Sequence, residues 1–165
     1  MTQSRGRRAA RTKAKIGRRA ASRRAERRAP GAAELVRAAK QAMARAYAPY
    51  SGFRVGAALL GASGRVHQGF NVENISYGLS MCAERTAVYA ALISGERQFR
   101  AIAIATDSPN PISPCGACRQ VLSEFCRDLP VLLAPVRGRV RRYTLKQLLP
   151  AAFFDFPGSK RPRRA

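Results

Sequence analysis

The sequence has no tryptophan, a single histidine and only nine acidic residues among 165. Because His67 is the one histidine, a metal site in this chain can use at most one imidazole ligand. We expect His67 to be an ordinary strand histidine and not a metal ligand. No apolar run approaches the roughly 20 residues that a membrane-spanning helix needs. These absences favour a soluble protein without a membrane partner.

The shortage of acidic residues gives a formal net charge of +22, and half of that charge lies in one short segment. Residues 1–30 hold 12 Lys and Arg against one acid, whereas residues 31–165 hold 19 against eight. The first segment has too few large aliphatic side chains to offset its ordering entropy by burial. We therefore predict a disordered basic N-terminal extension over 1–30, one folded domain over 31–157 and a basic C-terminal tail over 158–165.

Three interpretations of the basic extension compete. Residues 1–30 could bind nucleic acid or another polyanion nonspecifically, because clustered arginines contact phosphates without reading a sequence. An Arg-rich, acid-poor composition is also typical of organellar transit peptides. The plainest interpretation is a solvated tail with no specific role.

Cysteine is not scarce, and three of the four cysteines lie in two motifs. The motifs are Cys82-Ala83-Glu84 and, further along the chain, Pro114-Cys115-Gly116-Ala117-Cys118. We see no secretory signal, so we expect these thiols to bind metal or to be buried in a reducing compartment. Three thiolates can hold one zinc ion and leave its fourth position open, which is the arrangement of a catalytic zinc site.

Two residues near these motifs distinguish a catalytic zinc site from a structural one. Glu84 lies two residues after the first candidate ligand, where a carboxyl group could move protons to and from water. Cys126 could instead complete a closed four-cysteine site, which would leave Glu84 without a role. We predict that Cys126 is a small apolar core residue and that the site is open. The order of the two motifs matches the signature of zinc-dependent deaminases.

Hydrophobic periodicity predicts a single domain in which helices and strands alternate after an initial helix and hairpin. The predicted helices cover residues 32–46, 82–93, 115–126 and 144–149, and the predicted strands cover 55–60, 65–71, 101–106, 131–134 and 140–143. This pattern implies a mixed sheet between helical layers. Cys82 and Cys115 each start a predicted helix, where the partial positive charge of the helix favours a thiolate.

Further stretches, together with these motifs, resemble the small homotetrameric class of cytidine deaminases over residues 33–156. They are Ala46-Tyr47-Ala48-Pro49-Tyr50-Ser51-Gly52-Phe53, Val55-Gly56-Ala57-Ala58-Leu59, Asn71-Val72-Glu73-Asn74, Cys82-Ala83-Glu84-Arg85-Thr86-Ala87, Ser113-Pro114-Cys115-Gly116-Ala117-Cys118-Arg119-Gln120 and Leu148-Leu149-Pro150. The resemblance implies an α/β fold, a three-layer α/β/α sandwich with a mixed five-stranded sheet. It also implies zinc-dependent deamination of cytidine and deoxycytidine to uridine and deoxyuridine plus ammonia, serving pyrimidine salvage in the cytoplasm.

The resemblance assigns a role to each residue of the metal motifs. Cys82, Cys115 and Cys118 are expected to hold one Zn²⁺ ion per subunit. Glu84 is expected to be the catalytic group that transfers protons. Arg85 is expected to hydrogen-bond to the ligand sulfurs, although it could equally be an ordinary cation on a helix surface.

Substrate contacts also follow from the resemblance. Asn71 and Glu73 are expected to hold the ribose hydroxyls, Phe53 to pack on the pyrimidine, and the Ala83 backbone to contact the base. Phe153 is expected to reach the site of a neighbouring subunit in the homotetramer. For both phenylalanines, packing in the core is the alternative.

Two alternative functions remain. The charge of +22 would suit a nucleic-acid-binding or nucleic-acid-editing deaminase that uses the basic extension. However, the folded part lacks the interleaved aromatic and basic residues of a stacking platform. A blasticidin-type antibiotic-nucleoside deaminase would share the zinc motifs, but Glu73 would suit an unmodified ribose. The sequence therefore favours a free nucleoside as substrate.

Overall fold

The computed structural model describes residues 30–153, which are organised around one mixed five-stranded sheet. In chain order the elements are α1 (Ala32–Met43), β1 (Val55–Gly61), β2 (Val66–Phe70), a 3₁₀ turn (Tyr77–Leu79), α2 (Ala83–Ile93), β3 (Phe99–Thr106), α3 (Gly116–Phe125), β4 (Pro130–Ala134), β5 (Arg141–Thr144) and α4 (Leu145–Leu148). The strand order is β2-β1-β3-β4-β5, and only the β3–β4 pair is parallel. Within this range, no helix is long and apolar enough to cross a membrane.

Side chains alternate between the two faces of the sheet, so each face carries its own apolar cluster. On one face, Ala103 belongs to a cluster with Leu35 of α1. On the other face, Ile102 belongs to a cluster with Val88 of α2 and Leu122 of α3. The sheet thus lies between helical layers, and the predicted α/β/α sandwich with a mixed five-stranded sheet is confirmed.

Two strand glycines let helices lie directly on the sheet. A Cβ atom at Gly69 in β2 would stand 2.3 Å from the Ala87 nitrogen and 2.5 Å from the Ala83 oxygen of α2. A Cβ atom at Gly56 in β1 would stand 2.2 Å from backbone atoms of α1. Non-bonded atoms do not approach so closely, so only glycine permits this spacing. Gly69 therefore sets how deeply the first turn of α2 lies against the sheet.

Every predicted helix and strand is present within residues 30–153, and most of their ends shift by one or two residues. The first helix is the exception, because it ends at Met43 and not at residue 46. The Tyr47 nitrogen donates to the Asn71 oxygen at 3.0 Å, and the Glu73 nitrogen donates to the Tyr47 oxygen at 2.8 Å. This pairing with a distant segment draws the chain out of the helix before Pro49.

Cys126 lies just beyond the end of α3, which ends at Phe125. Its backbone is extended, with φ −151° and ψ 119°. The predicted helix over residues 115–126 therefore extends one residue too far at this end. Cys126 is partly buried and packs against the cluster beneath α2 and α3, so it is a thiol at the edge of the core.

The predicted domain boundaries stay predictions. The basic extension over 1–30 lies outside the described residues except for Pro30, and the tail over 158–165 lies entirely outside them. The predicted domain over 31–157 also extends past the last described residue, Phe153.

Candidate metal centre and cavity

The N-termini of α2 and α3 bring three cysteines together. Cys82 is the N-cap residue of α2 and Cys115 is the N-cap residue of α3, while Cys118 lies in the first turn of α3. Their three Sγ atoms lie within 4.8 Å of one another, and those of Cys82 and Cys115 are 3.9 Å apart. Thiolates about 2.3 Å from a tetrahedral zinc ion stand roughly 3.8 Å apart. The cluster fits zinc, and Cys126 is not part of it.

Hydrogen bonds within this cluster make one of its thiols acidic. A hydrogen bond from Cys118, followed by one from Arg85, lowers the pKa of Cys82 to about 5. The same contact raises the pKa of Cys118, which retains the shared proton. Arg85 donates from Nη2 to the Cys82 sulfur at 3.4 Å. Since zinc binds thiolates, metal binding here would release protons from the cluster, including the one on Cys118.

Glu84 lies in the first turn of α2 and is buried, with 4% of its surface exposed. Burial raises the pKa of its carboxyl group to about 7, although a hydrogen bond from its own backbone and one with Cys118 oppose that shift. A carboxyl group in this range can both accept and donate a proton near neutral pH, as proton transfer in catalysis requires.

A cavity of about 380 Å³ opens beside the cysteines and Glu84. Its volume is in the range of small-molecule sites, which are mostly apolar with a few polar groups. The wall includes residues from the loop before β1, from the segment after β2, from the start of α2 and from the end of β3. The lining residues include Phe53, Asn71, Glu73, Ser80, Cys82, Ala83, Glu84, Ile104, Thr106, Ser113 and Cys115.

At the mouth of the cavity, Asn71 fixes the backbone on both sides of Arg54. Its Oδ1 accepts from the Val55 nitrogen at 2.8 Å, and its Nδ2 donates to the Phe53 oxygen at 2.9 Å. Phe53 itself lines the cavity and remains 38% exposed. The structure thus places both predicted substrate contacts at the mouth, with Asn71 holding the backbone that carries Phe53.

Glu73 fixes the same loop from its other end. Its carboxylate accepts from the Tyr50 nitrogen at 2.9 Å, from the Ser51 nitrogen at 3.2 Å and from the Ser51 hydroxyl. The hydroxyl contact, with the backbone contacts, lowers the pKa of Glu73. Glu73 is therefore a charged acceptor at the mouth, already bound to the loop that precedes β1.

Of the remaining predicted site residues, Ala83 lines the cavity and Phe153 does not. Ala83 is fully buried at the start of α2 and lines the cavity. Phe153 is 64% exposed and is not among the residues that line it. The side-chain amide of Gln120 in α3 holds the Phe153 backbone, donating to its oxygen at 2.6 Å and accepting from its nitrogen at 3.3 Å.

Arg119 supports residues 113–115, the metal loop, and no pattern in the sequence indicated this role. Its Nε donates to the Pro114 oxygen at 2.6 Å, its Nη2 to the Ser113 hydroxyl at 2.9 Å, and its Nη1 to the Leu148 oxygen at 2.8 Å. One guanidinium group thereby ties the residues before Cys115 to the end of α4. Arg119 directly follows Cys118 in the second cysteine motif, but only the folded structure identifies its hydrogen-bond partners.

Comparison with known proteins agrees with this geometry. The sequence model of the cytidine and deoxycytidylate deaminase zinc-binding region matches residues 31–133, and the chain belongs to this family. A cytidine deaminase from Sporosarcina psychrophila is 47% identical over 121 residues, which cover 73% of this chain and 89% of the relative. One from Halalkalibacterium halodurans is 50% identical over 120 residues, covering 72% and 91%.

A solved structure shows the same fold. The crystal structure of cytidine deaminase from Burkholderia pseudomallei is 50% identical and superposes with a TM-score of 0.73, covering 75% of this chain and all of that one. The family resemblance inferred from the sequence motifs, the α/β fold and the assignment of a zinc-binding deaminase are therefore confirmed.

Proposed function

We propose that this protein deaminates cytidine and deoxycytidine to uridine and deoxyuridine, consuming water and releasing ammonia. The observation that carries the proposal is the buried Glu84 carboxyl group beside three cysteine sulfurs at a cavity of small-molecule size. Membership of the deaminase family and the named cytidine deaminases among its relatives support the same activity.

Cys82, Cys115 and Cys118 would hold the zinc ion, as their mutual spacing allows. When bound, zinc supplies a Lewis-acid centre that activates water for attack on an electrophilic carbon. Glu84 accepts the proton that the attacking water loses. It delivers this proton to the ring nitrogen. It then takes a second proton from the hydroxyl group formed on the attacked carbon and delivers it to the amino group, which leaves as ammonia while the carbonyl forms. Arg85 holds the Cys82 sulfur at 3.4 Å and offsets part of the negative charge of three thiolates.

Capacity for further hydrogen bonds supports the proposed substrate contacts. Within residues 30–153, Glu73 Oε1 accepts only from the Ser51 hydroxyl, and Asn71 Oδ1 accepts only from the Val55 nitrogen. Each of these oxygens has a second lone pair, so both side chains can still accept from ribose hydroxyls. The first N–H groups of α2, including that of Ala83, have no partner within the helix and can serve the base. Phe53, exposed into the cavity, would pack on the face of the pyrimidine.

We also propose a homotetramer in which Phe153 reaches a neighbouring subunit. The segment beside the cavity mouth exposes Ile75, Tyr77 and Leu79 by 80%, 65% and 71%, and adjacent apolar side chains of this kind are typical of interfaces. Sedimentation equilibrium tests this assembly, and the mass of a single chain would contradict it.

A role in pyrimidine salvage in the cytoplasm is part of the proposed function. Nonspecific polyanion binding by residues 1–30 stays a separate prediction, since residues 1–29 lie outside the described range.

The test is ammonia release from cytidine and deoxycytidine, with and without a chelator, by the wild type and by Glu84→Gln. Glu84→Gln should lower turnover by about 10²- to 10⁴-fold, because it removes the proton-transfer group. Its zinc content should equal that of the wild type. The control is Glu124→Gln, at an exposed acid of α3, which should retain full turnover.

A zinc-replete Glu84→Gln protein with near-normal turnover would contradict the mechanism. Turnover of blasticidin S faster than that of cytidine would overturn the choice of substrate.

A further inference from the structure

Thr106 ends β3 at the wall of the cavity, and its side chain is almost completely buried, with 2% of its surface exposed. Alternate residues of a strand share a face, so Thr106 is on the same face as Ile104, which also lines the cavity. The Thr106 hydroxyl has no hydrogen-bond partner among residues 30–153. A buried hydroxyl without a partner is destabilising, so such groups in folded proteins normally bond to water or ligand.

Several other polar side chains around the cavity, unlike that of Thr106, already have a hydrogen-bond partner within the chain. They are Asn71, Glu73, Ser80 and Ser113. Those bonds fix the mouth of the cavity and the metal loop. The Thr106 hydroxyl fixes nothing in the described part of the chain, which leaves its hydrogen-bonding capacity for whatever fills the cavity.

The position of Thr106 favours the base of a nucleoside over its sugar. Thr106 and Glu84 are both at most 4% exposed, so they line the deep part of the cavity. Phe53, by contrast, is 38% exposed at the mouth. The base of cytidine presents a carbonyl oxygen and one free ring nitrogen at its edge, and a hydroxyl can donate to either acceptor.

We propose that Thr106 is a further substrate-binding residue, whose hydroxyl hydrogen-bonds to the edge of the pyrimidine, directly or through one retained water. The proposal rests on the proposed function, because it takes a pyrimidine nucleoside as the occupant of the cavity. It makes Thr106 a determinant of specificity, since a ring without a polar edge would leave the hydroxyl unpaired in a dry site.

Thr106→Val tests the proposal, because valine keeps the shape of threonine and removes only the hydroxyl. We expect kcat/KM for cytidine to fall about three- to tenfold, the effect of losing one hydrogen bond between neutral groups. Calorimetry should show a similar weakening of uridine binding. Zinc content should not change, and the melting temperature should be equal or higher because no hydroxyl is left unpaired. Thr106→Ser, which retains the hydroxyl, should restore most of the loss.

Thr144→Val is the matched control. The Thr144 hydroxyl caps α4 by accepting from the Gln147 nitrogen at 3.3 Å, so its loss should lower the melting temperature and leave kcat/KM unchanged. If Thr106→Val behaves in that way, Thr106 is structural and the proposal fails. It also fails if Thr106→Val keeps wild-type kcat/KM and uridine affinity.

A failure of the proposed function would look different. A wild-type protein that binds uridine and releases no ammonia from cytidine would refute the deaminase activity, and the effect of Thr106→Val on uridine binding would still decide the role of Thr106. A zinc-loaded wild type that binds neither nucleoside would refute both proposals.

Discussion

The deep part and the mouth of the cavity are held in place by different forces. The deep part, with Cys82, Glu84 and Cys118, is formed by two helix N-termini that pack on the sheet through buried apolar side chains. The mouth is held by hydrogen bonds that Asn71 and Glu73 make to an exposed loop. The geometry of the metal centre therefore depends on the whole core, whereas the geometry of the mouth depends on a few local contacts.

This difference separates two kinds of mutational effect. Loss of a cysteine in the deep part should remove the metal and the turnover together, whereas Glu84→Gln should lower turnover with the metal still bound. Changes at the mouth should alter substrate affinity and leave the metal in place.

Cys118→Ser should lose zinc and ammonia release together, because an alcohol near neutral pH is a far poorer zinc ligand than a thiolate. Cys126→Ser makes the same chemical change eight residues after Cys118, at a partly buried thiol that is not part of the three-cysteine cluster. It should retain zinc and lower the free energy of unfolding by about 1 kcal/mol. Elemental analysis and urea denaturation measure both effects. Equal zinc loss in the two proteins would contradict the three-cysteine site.

Glu73→Gln should raise KM for cytidine several-fold and leave kcat within about threefold of the wild type. The amide removes the charge and one of the two acceptor oxygens that hold the loop, so binding weakens without touching the proton-transfer group. Zinc content should be unchanged. Steady-state kinetics separates the two parameters, with Glu124→Gln as the control at an exposed acid. If kcat falls while KM stays constant, Glu73 acts in the chemical step and the division between the two regions is wrong.

His67 lies outside both regions of the cavity, near the C-terminal end of α2. Its Nδ1 is 3.2 Å from the Ser94 hydroxyl. Burial, with a smaller contribution from Arg65, lowers the pKa of His67, while Glu96 opposes that shift. Below the unfolded pKa of about 6.5 the unfolded chain binds more protons, so stability should fall as the pH drops from that value towards the lower folded pKa. Above pH 7 the effect should vanish.

Urea denaturation of the wild type and of His67→Gln between pH 5 and 7.5 isolates this effect, since Glu84 and the cysteines titrate in both proteins. Because the chain has one histidine, its NMR titration can be assigned without ambiguity. A folded pKa above 6.5 would contradict the prediction.

The sequence predicted the metal centre well because its determinants are local. Cys82 and Cys115 cap helices that the apolar periodicity already indicated, and Cys118 follows one turn later. The end of α1 could not be predicted, because it depends on pairing between Tyr47 and a segment more than twenty residues away. Thr106 was missed for a similar reason. A threonine at the end of an apolar strand is unremarkable until the fold shows that its hydroxyl has no hydrogen-bond partner within residues 30–153.

Gly69 has no side chain that could react or bind, yet the choice of residue at this position is as restricted as at a metal ligand. A Cβ atom there would collide with the Ala83 oxygen and the Ala87 nitrogen, so any larger residue would act as a wedge under the first turn of α2. Cys82, Ala83 and Glu84 would then move as a unit away from the two cysteines of α3. In a library of random variants, position 69 should be depleted alongside the ligands themselves. An engineer who reshapes this pocket can vary its walls more freely than the strand beneath its helix.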